Sequence, residues 1–247
     1  MTQFSFTNPS FAAFTSMDKK YYEHCGKAML SSYKENWVKQ LPMYVYNEDN
    51  FTIKIKHVTS LKWNLGEEYL KFQNRHTNDK VKTFAKKGFS IIHAMQNLTE
   101  YDRLMWVDAD TIIKAPIHQQ LLDLIAPDDV LSSHFSVWHE KNDKIYHSCE
   151  TGFFILNTRH SGFEEFRRTY TDIYYNDKSE DLRRFYDGEV YGKTVELMEA
   201  KGHKMMNLNP GKHKTPISRS LMNPYITHYK AGLKDKTDFS QFNKDEV

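Results

Sequence analysis

The chain has 247 residues, with 39% apolar, 14% aromatic and 27% charged side chains. That length suits one large domain, or two lobes around one sheet, and the composition excludes a disordered or low-complexity chain. With 34 basic against 32 acidic residues the net charge is +2, so no global field favours nucleic acid or a membrane surface. In chain order, Phe11 to Thr15 is a short apolar run suited to a buried strand, and Lys19 to Trp37 reads as a helix. Met43 to Tyr46 reads as a second strand, ended by the turn-forming Asn47-Glu48-Asp49-Asn50. After a long excursion, Val81, Phe84, Ala85, Gly88, Ile92 and Met95 share one helical face. A turn over Asn97 to Glu100 then leads into the apolar run Arg103-Leu104-Met105-Trp106-Val107, a third strand.

The second half is less regular. Gln119 to Ile125 reads as a helix stopped by Pro127, and Phe153 to Leu156 as a strand. Ser161 and Glu164 have capping-box spacing before a helix whose apolar face is Phe163, Phe166, Tyr170 and Ile173. A further helix from about Glu189 to Ala200 ends at Gly202, a suitable residue for a helix C-terminus. Asn207 to Pro224, with Pro210, Gly211, Pro216 and Pro224, reads as a loop able to close over a site. Strands alternating with helices predict an α/β domain with a mainly parallel sheet. The N-terminus lacks a basic start followed by an apolar core, and no window nears the ~18 apolar residues of a membrane span, which predicts a cytoplasmic protein. Cys25 and Cys149 match no metal or redox spacing and read as free thiols.

The most informative feature is Asp108-Ala109-Asp110, directly after the third strand. Aspartate is rarely buried unless it is paired or holds a metal, and ligands of parallel α/β sheets sit at the carboxyl ends of strands. Two carboxylates there suit a hard cation such as Mg²⁺ or Mn²⁺ that keeps positions open for substrate phosphates. The plainer alternative is that one Asp caps the next turn while the other pairs with Lys or Arg.

The run Trp106-Val107-Asp108-Ala109-Asp110-Thr111-Ile112-Ile113, after a helix carrying Lys86 and Lys87, resembles the metal-binding motif of nucleotide-sugar-dependent glycosyltransferases of the GT-A fold. Phe14-Thr15-Ser16-Met17-Asp18, with Tyr22 and Gly26 following, is similar to their first strand and nucleotide-binding turn. Glu150-Thr151-Gly152-Phe153-Phe154-Ile155-Leu156-Asn157 is similar to the strand bearing sugar-side and acceptor-side contacts. His228-Tyr229-Lys230-Ala231-Gly232-Leu233-Lys234 resembles the C-terminal element of glycogenin-like members.

The resemblance implies a single GT-A domain over 1–247, with a mixed, mainly parallel sheet flanked by helices and two lobes. The nucleotide and metal half would span about 1–115 and the acceptor half about 116–247. It implies Mn²⁺ or Mg²⁺ on Asp108, Asp110 and His228, and donor contacts from Thr15, Tyr22, Lys86 and Lys234. Glu150 and, by its position in Tyr186-Asp187-Gly188-Glu189, Asp187 would be the catalytic carboxylates. The implied reaction moves a sugar from a nucleoside diphosphate sugar, with UDP favoured, to a hydroxyl on a glycan, lipid or protein, with retention.

Lys201, Lys204, Lys212, Lys214 and Arg219, with His203 and His213, leave a hydroxymethylated base in DNA as a less favoured acceptor. A metal-dependent nucleotidyltransferase or a non-catalytic sugar-nucleotide-binding module are the alternatives from other classes; no Gly-rich phosphate loop supports the former.

Overall fold

A computed structural model describes residues 10–37, 41–141, 143–178, 180, 182–211 and 216–242. Its central sheet has seven strands in the order β3-β2-β1-β4-β7-β6-β8. The middle strands β1 (Phe11–Met17) and β4 (Arg103–Val107) are buried along nearly all their length and mostly apolar because both of their faces are covered. β1 runs parallel to β4 and to β2 (Met43–Asn47), and β2 runs parallel to β3 (Val58–Lys62). β4 then pairs antiparallel with β7 (Lys144–Asn157), which forms a long hairpin with β6 (Ser132–Lys141). Asp143 turns that hairpin in the left-handed region, with φ at 57°. The short β8 (Met205–Asn207) closes the sheet parallel to β6. Outside it, β5 (Thr111–Ile113) pairs antiparallel with β9 (Ile226–His228).

Helices cover both faces. On one side α3 (Gly66–Arg75), α4 (Asp79–Asn97), α6 (Phe163–Tyr175) and α7 (Asp187–Ala200) enclose an aromatic core in which Phe14 meets Trp106 edge-on at 5.2 Å. On the other, α2 (Lys27–Asn36) and α5 (Gln119–Ile125) pack over Ala13, Val45, Met105 and Phe153. Arg103, only 2% exposed, is satisfied by Asp128, Asn157 and the carbonyls of Asp102 and Ala126. A buried guanidinium needs such a set of acceptors.

Several details differ from the sequence reading. The helix expected over Lys19 to Trp37 is α1 (Lys19–Tyr21), a π-helical turn (Tyr22–Gly26) and α2 in succession, with the wide turn where Gly26 passes Met17. Ser161 caps nothing: α6 starts after Gly162, whose N–H donates to His160 Nδ1, and Glu164 pairs with Arg167. Phe84 leaves its expected apolar face and is 37% exposed, its ring tilted against Tyr186. β3 and α3 escaped the reading because they sit at the sheet edge, where α3 buries Phe72 alone. The loop from Asn207 to Pro224 includes a short 3-10 helix, Ile217–Arg219, while Lys212, His213 and Lys214 lie outside the described residues. Gly202 does end α7, at φ 85°. No helix among the described residues is long and apolar enough to cross a membrane.

Gly88 is where α4 meets α6: a Cβ there would lie 2.1 Å from Tyr174 Cζ, and Tyr174 is itself buried. Replacing Gly by Ala inside a helix gains roughly 1 kcal/mol, but overpacking a rigid aromatic core costs about 1–3 kcal/mol. Gly88→Ala should therefore lower the urea midpoint; a midpoint at or above that of the parent protein contradicts this packing. Cys25 and Cys149 are free and buried, and burial together with the Asp110 charge pushes the Cys25 thiol up to about 12. Both thiols should react with Ellman's reagent only when the protein unfolds.

Candidate active site

Asp108 and Asp110 sit where the continuous core strand ends. The Asp108 N–H still donates to the Gly152 carbonyl at 2.9 Å, and the Asp108 carbonyl accepts from Thr111 N–H at 3.0 Å, so a tight turn separates β4 from β5. The register of β5 on β9 places Thr111 opposite His228, and Tyr229 N–H donates to the Asp110 carbonyl at 2.9 Å. Backbone pairing thus returns a histidine from near the C-terminus to the two aspartates. His228 Nε2 lies 3.0 Å from Asp110 Oδ1 and 3.4 Å from Asp108 Oδ2, while Nδ1 is 3.2 Å from Glu150 Oε1. Gly152 is required here, because a Cβ would stand 2.4 Å from His228 Nδ1.

These three side chains can hold a divalent cation: one ligand atom from each lies within 4.8 Å of the others. Asp110 Oδ1 is buried and makes no hydrogen bond of good geometry, although His228 Nε2 is near. Such an orphaned acceptor is expensive unless a cation serves it. Two carboxylates and an imidazole suit manganese at least as well as magnesium. Burial alone would lower the His228 pKa, but the two aspartates close to its Nε2, and their charges, lift it to about 9. Burial alone would raise both aspartates, yet Lys87 and His228 hold Asp108, and His228 holds Asp110, below the usual carboxylate range.

Lys87 organises the other side. Its ammonium donates to Asp108 Oδ1 at 2.6 Å and to the Thr151 carbonyl at 2.6 Å, and lies 3.2 Å from Asp187 Oδ2. Burial opposes its charge, but the two carboxylates raise its pKa above the ordinary value. Trp106 Nε1–H donates to the same Asp108 oxygen at 2.6 Å. Asp187, in the first turn of α7, also accepts from Thr151 Oγ1 at 2.5 Å. Glu150 is ion-paired with Lys230. A bulge brings Glu150 and Thr151 forward: Ser133 pairs with Ile155 and Phe135 with Glu150, so His134 alone faces residues 151–154.

Of the expected donor contacts, Lys234 is at the site, 3.3 Å from Asp110 Oδ2 and 2.7 Å from the Tyr21 hydroxyl. The others stand apart. Thr15 is fully buried within β1, Tyr22 is packed on Phe51 at 4.7 Å, and Lys86 pairs with Glu48 at 2.6 Å. Adjacent helical residues point about 100° apart, so Lys86 and Lys87 cannot both face the aspartates. Tyr21, whose hydroxyl donates to Asp110 Oδ2 at 2.6 Å, Thr151 and Lys230 were not expected at the site from sequence, and Lys87 enters there only beside Lys86, the expected donor contact. Lys87 had a signal, one turn beyond Phe84 and beside Gly88; the others are fixed by tertiary contacts. The result is a cavity of about 430 Å³ whose floor includes Asp108, Asp110 and His228 and whose rim includes Phe84 and Tyr186.

Neither protein-family models nor curated protein sequences match this chain. Solved structures do. WbbM, a bifunctional glycosyltransferase in its apo form, aligns over 97% of this chain at 13% identity and a TM-score of 0.60. The galactosyltransferase LgtC, in complex with donor and acceptor sugar analogues, aligns over 94% of this chain and 95% of its own at 12% identity and a TM-score of 0.52. A glycosyltransferase involved in glycosylating the PBCV-1 major capsid aligns over 93% of this chain and 100% of its own at 11% identity and a TM-score of 0.50. The chain has the GT-A fold. It spans half the length of the WbbM chain. Within the GT-A fold the paired aspartates sit after the fourth strand in sequence, at the carboxyl edge of the parallel strands.

Mn²⁺ should raise the melting temperature of the protein, and Asp110→Asn or His228→Ala should remove that shift. Lys87→Met, which frees Asp108 from its anchor, should weaken Mn²⁺ binding by roughly 10–100-fold. Lys86→Met should leave it unchanged; equal effects of the two lysine variants would refute the assignment of Lys87.

Proposed function

We propose that this chain is a metal-dependent glycosyltransferase that transfers a sugar, with retention, from a UDP-sugar to an acceptor hydroxyl. The observation that carries this reading is the meeting of Asp108, Asp110 and His228 at the floor of a cavity in a GT-A fold. Mn²⁺, or Mg²⁺, held there would neutralise the charge that develops on the departing nucleoside diphosphate. Lys234, beside Asp110, adds a second cation to the diphosphate side. Lys87 acts from behind, keeping Asp108 ionised and oriented. Glu150 and Asp187 are each tied to a lysine, so they serve to accept hydrogen bonds from sugar hydroxyls rather than to collect a proton. That arrangement favours retention, in which the leaving diphosphate itself can take the acceptor proton.

Phe84 and Tyr186, at 4.5 Å and open to the cavity, suit stacking on a sugar ring, which supports a glycan acceptor. The described lysines of the basic stretch do not favour DNA: Lys201 pairs with Glu165 and Lys204 with Asp129. Two free thiols support a reducing, cytoplasmic location.

A screen of nucleotide sugars with manganese should show release of the nucleoside diphosphate, and either Asp108→Asn or Asp110→Asn should reduce it by roughly 100-fold or more. Pyrophosphate release, or full activity in both variants, would sink the proposal. The anomeric proton of the product should report the configuration of the donor. Phe84→Ala should raise the acceptor KM while leaving donor hydrolysis intact.

A further inference from the structure

The β6–β7 hairpin carries a second cluster of metal-ligating groups that sugar transfer does not use. His147 and Cys149 are two apart on β7 and so project from the same face, and His134 stands opposite the bulge on β6. One ligand atom from each of the three lies within 4.8 Å of the others. His134 is 1% and Cys149 6% exposed. We propose that His134, His147 and Cys149 form a second metal site, for a thiophilic divalent ion of the zinc type.

The metal-free hydrogen bonding is mismatched. His134 Nε2 and His147 Nε2 both lie on the Ser136 hydroxyl, at 3.0 and 2.9 Å. The other sides of the two rings face backbone, Ser132 for His134 and Gly192 for His147, although His134 Nδ1 makes no well-formed hydrogen bond there. If both rings carry their proton on the backbone side, two bare nitrogens compete for one Ser136 hydrogen. If one ring carries it on Nε2 instead, its other nitrogen becomes an acceptor facing an acceptor. A cation bound by both Nε2 atoms removes the conflict and leaves each backbone-side N–H as an orienting donor, the usual outer arrangement of a ligating histidine.

The third ligand suits the same ion. Register places Cys149 directly opposite Ser136, the hydroxyl on which both rings converge. Tetrahedral ligation with Zn–N of about 2.0–2.1 Å and Zn–S of about 2.3 Å sets the ligand atoms roughly 3.3–3.6 Å apart, so atoms now within 4.8 Å must draw together by up to about 1.5 Å, within reach of side-chain rotation. Binding turns the Cys149 thiol into a thiolate and sends its proton to solvent. Glu196 near His147 and Glu199 near Cys149 supply negative charge around the site. Ser136 or a water would complete four-coordination. Cys149 also lines the active-site cavity, so the ion would pin β7 just before Glu150 and Thr151.

The test is Co²⁺ titration of chelator-stripped, reduced protein carrying Asp108→Asn and Asp110→Asn, so that the first site is silent and sugar transfer plays no part in the readout. One cobalt per chain should bind with a thiolate-to-cobalt charge-transfer band. Cys149→Ser should abolish the band, and His134→Gln and His147→Gln should each weaken binding at least about tenfold. Cys25→Ser should retain the band in full. Circular dichroism checks that each variant is folded, and zinc should raise the melting temperature of the cysteine-intact protein alone. Absence of the band, or its survival in folded Cys149→Ser, overturns the proposal.

Discussion

A buried ammonium holds the site together. Lys87 reaches from α4 to the end of β4, the bulge of β7 and the first turn of α7. An unpaired charge in that position would be intolerable, so its three oxygen partners are bound to one place as firmly as it is. Asp108 gains from this a fixed carboxylate that stays ionised despite burial. Trp106 adds a hydrogen bond to the same oxygen and a ring face 4.9 Å from the ammonium. The other Asp108 oxygen faces His228.

Against this rigid back wall, the front is assembled by a two-stranded ladder. β5 and β9 contribute only three residues each, yet their register decides that His228 arrives beside Asp110. Tyr21 and Lys234 close the remaining side. The cavity therefore draws on the beginning, middle and end of the chain, while the continuous sheet supplies the frame.

What could be read from sequence follows the same division. Asp108 and Asp110 were legible because an apolar strand stops abruptly at two carboxylates, a pattern that packing does not explain. Family resemblance, not spacing, pointed to His228. Choosing between Lys86 and Lys87 required the rotation of α4 against the sheet, which depends on Gly88 accepting Tyr174. β6 was hidden because its buried face is polar: Ser132 meets Tyr191, while Ser136 meets His134 and His147 through its hydroxyl and Asn207 through its N–H, contacts that no local pattern encodes. The bulge of β7 is equally non-local, since it exists only relative to β6.

The β5–β9 ladder has a bearing on how the site comes into being. Asp110 and His228 are separated by 118 positions, 228 less 110, so the sheet strands are all laid down before the last ligand is made. A nascent chain can bury Phe14, Trp106 and Phe154 against each other while the candidate cation site has only two side chains to offer. A cation held there would therefore be captured only after β9 has joined β5 rather than with the collapse of the core, and a chain cut short before β9 would lack the third side chain of the cluster.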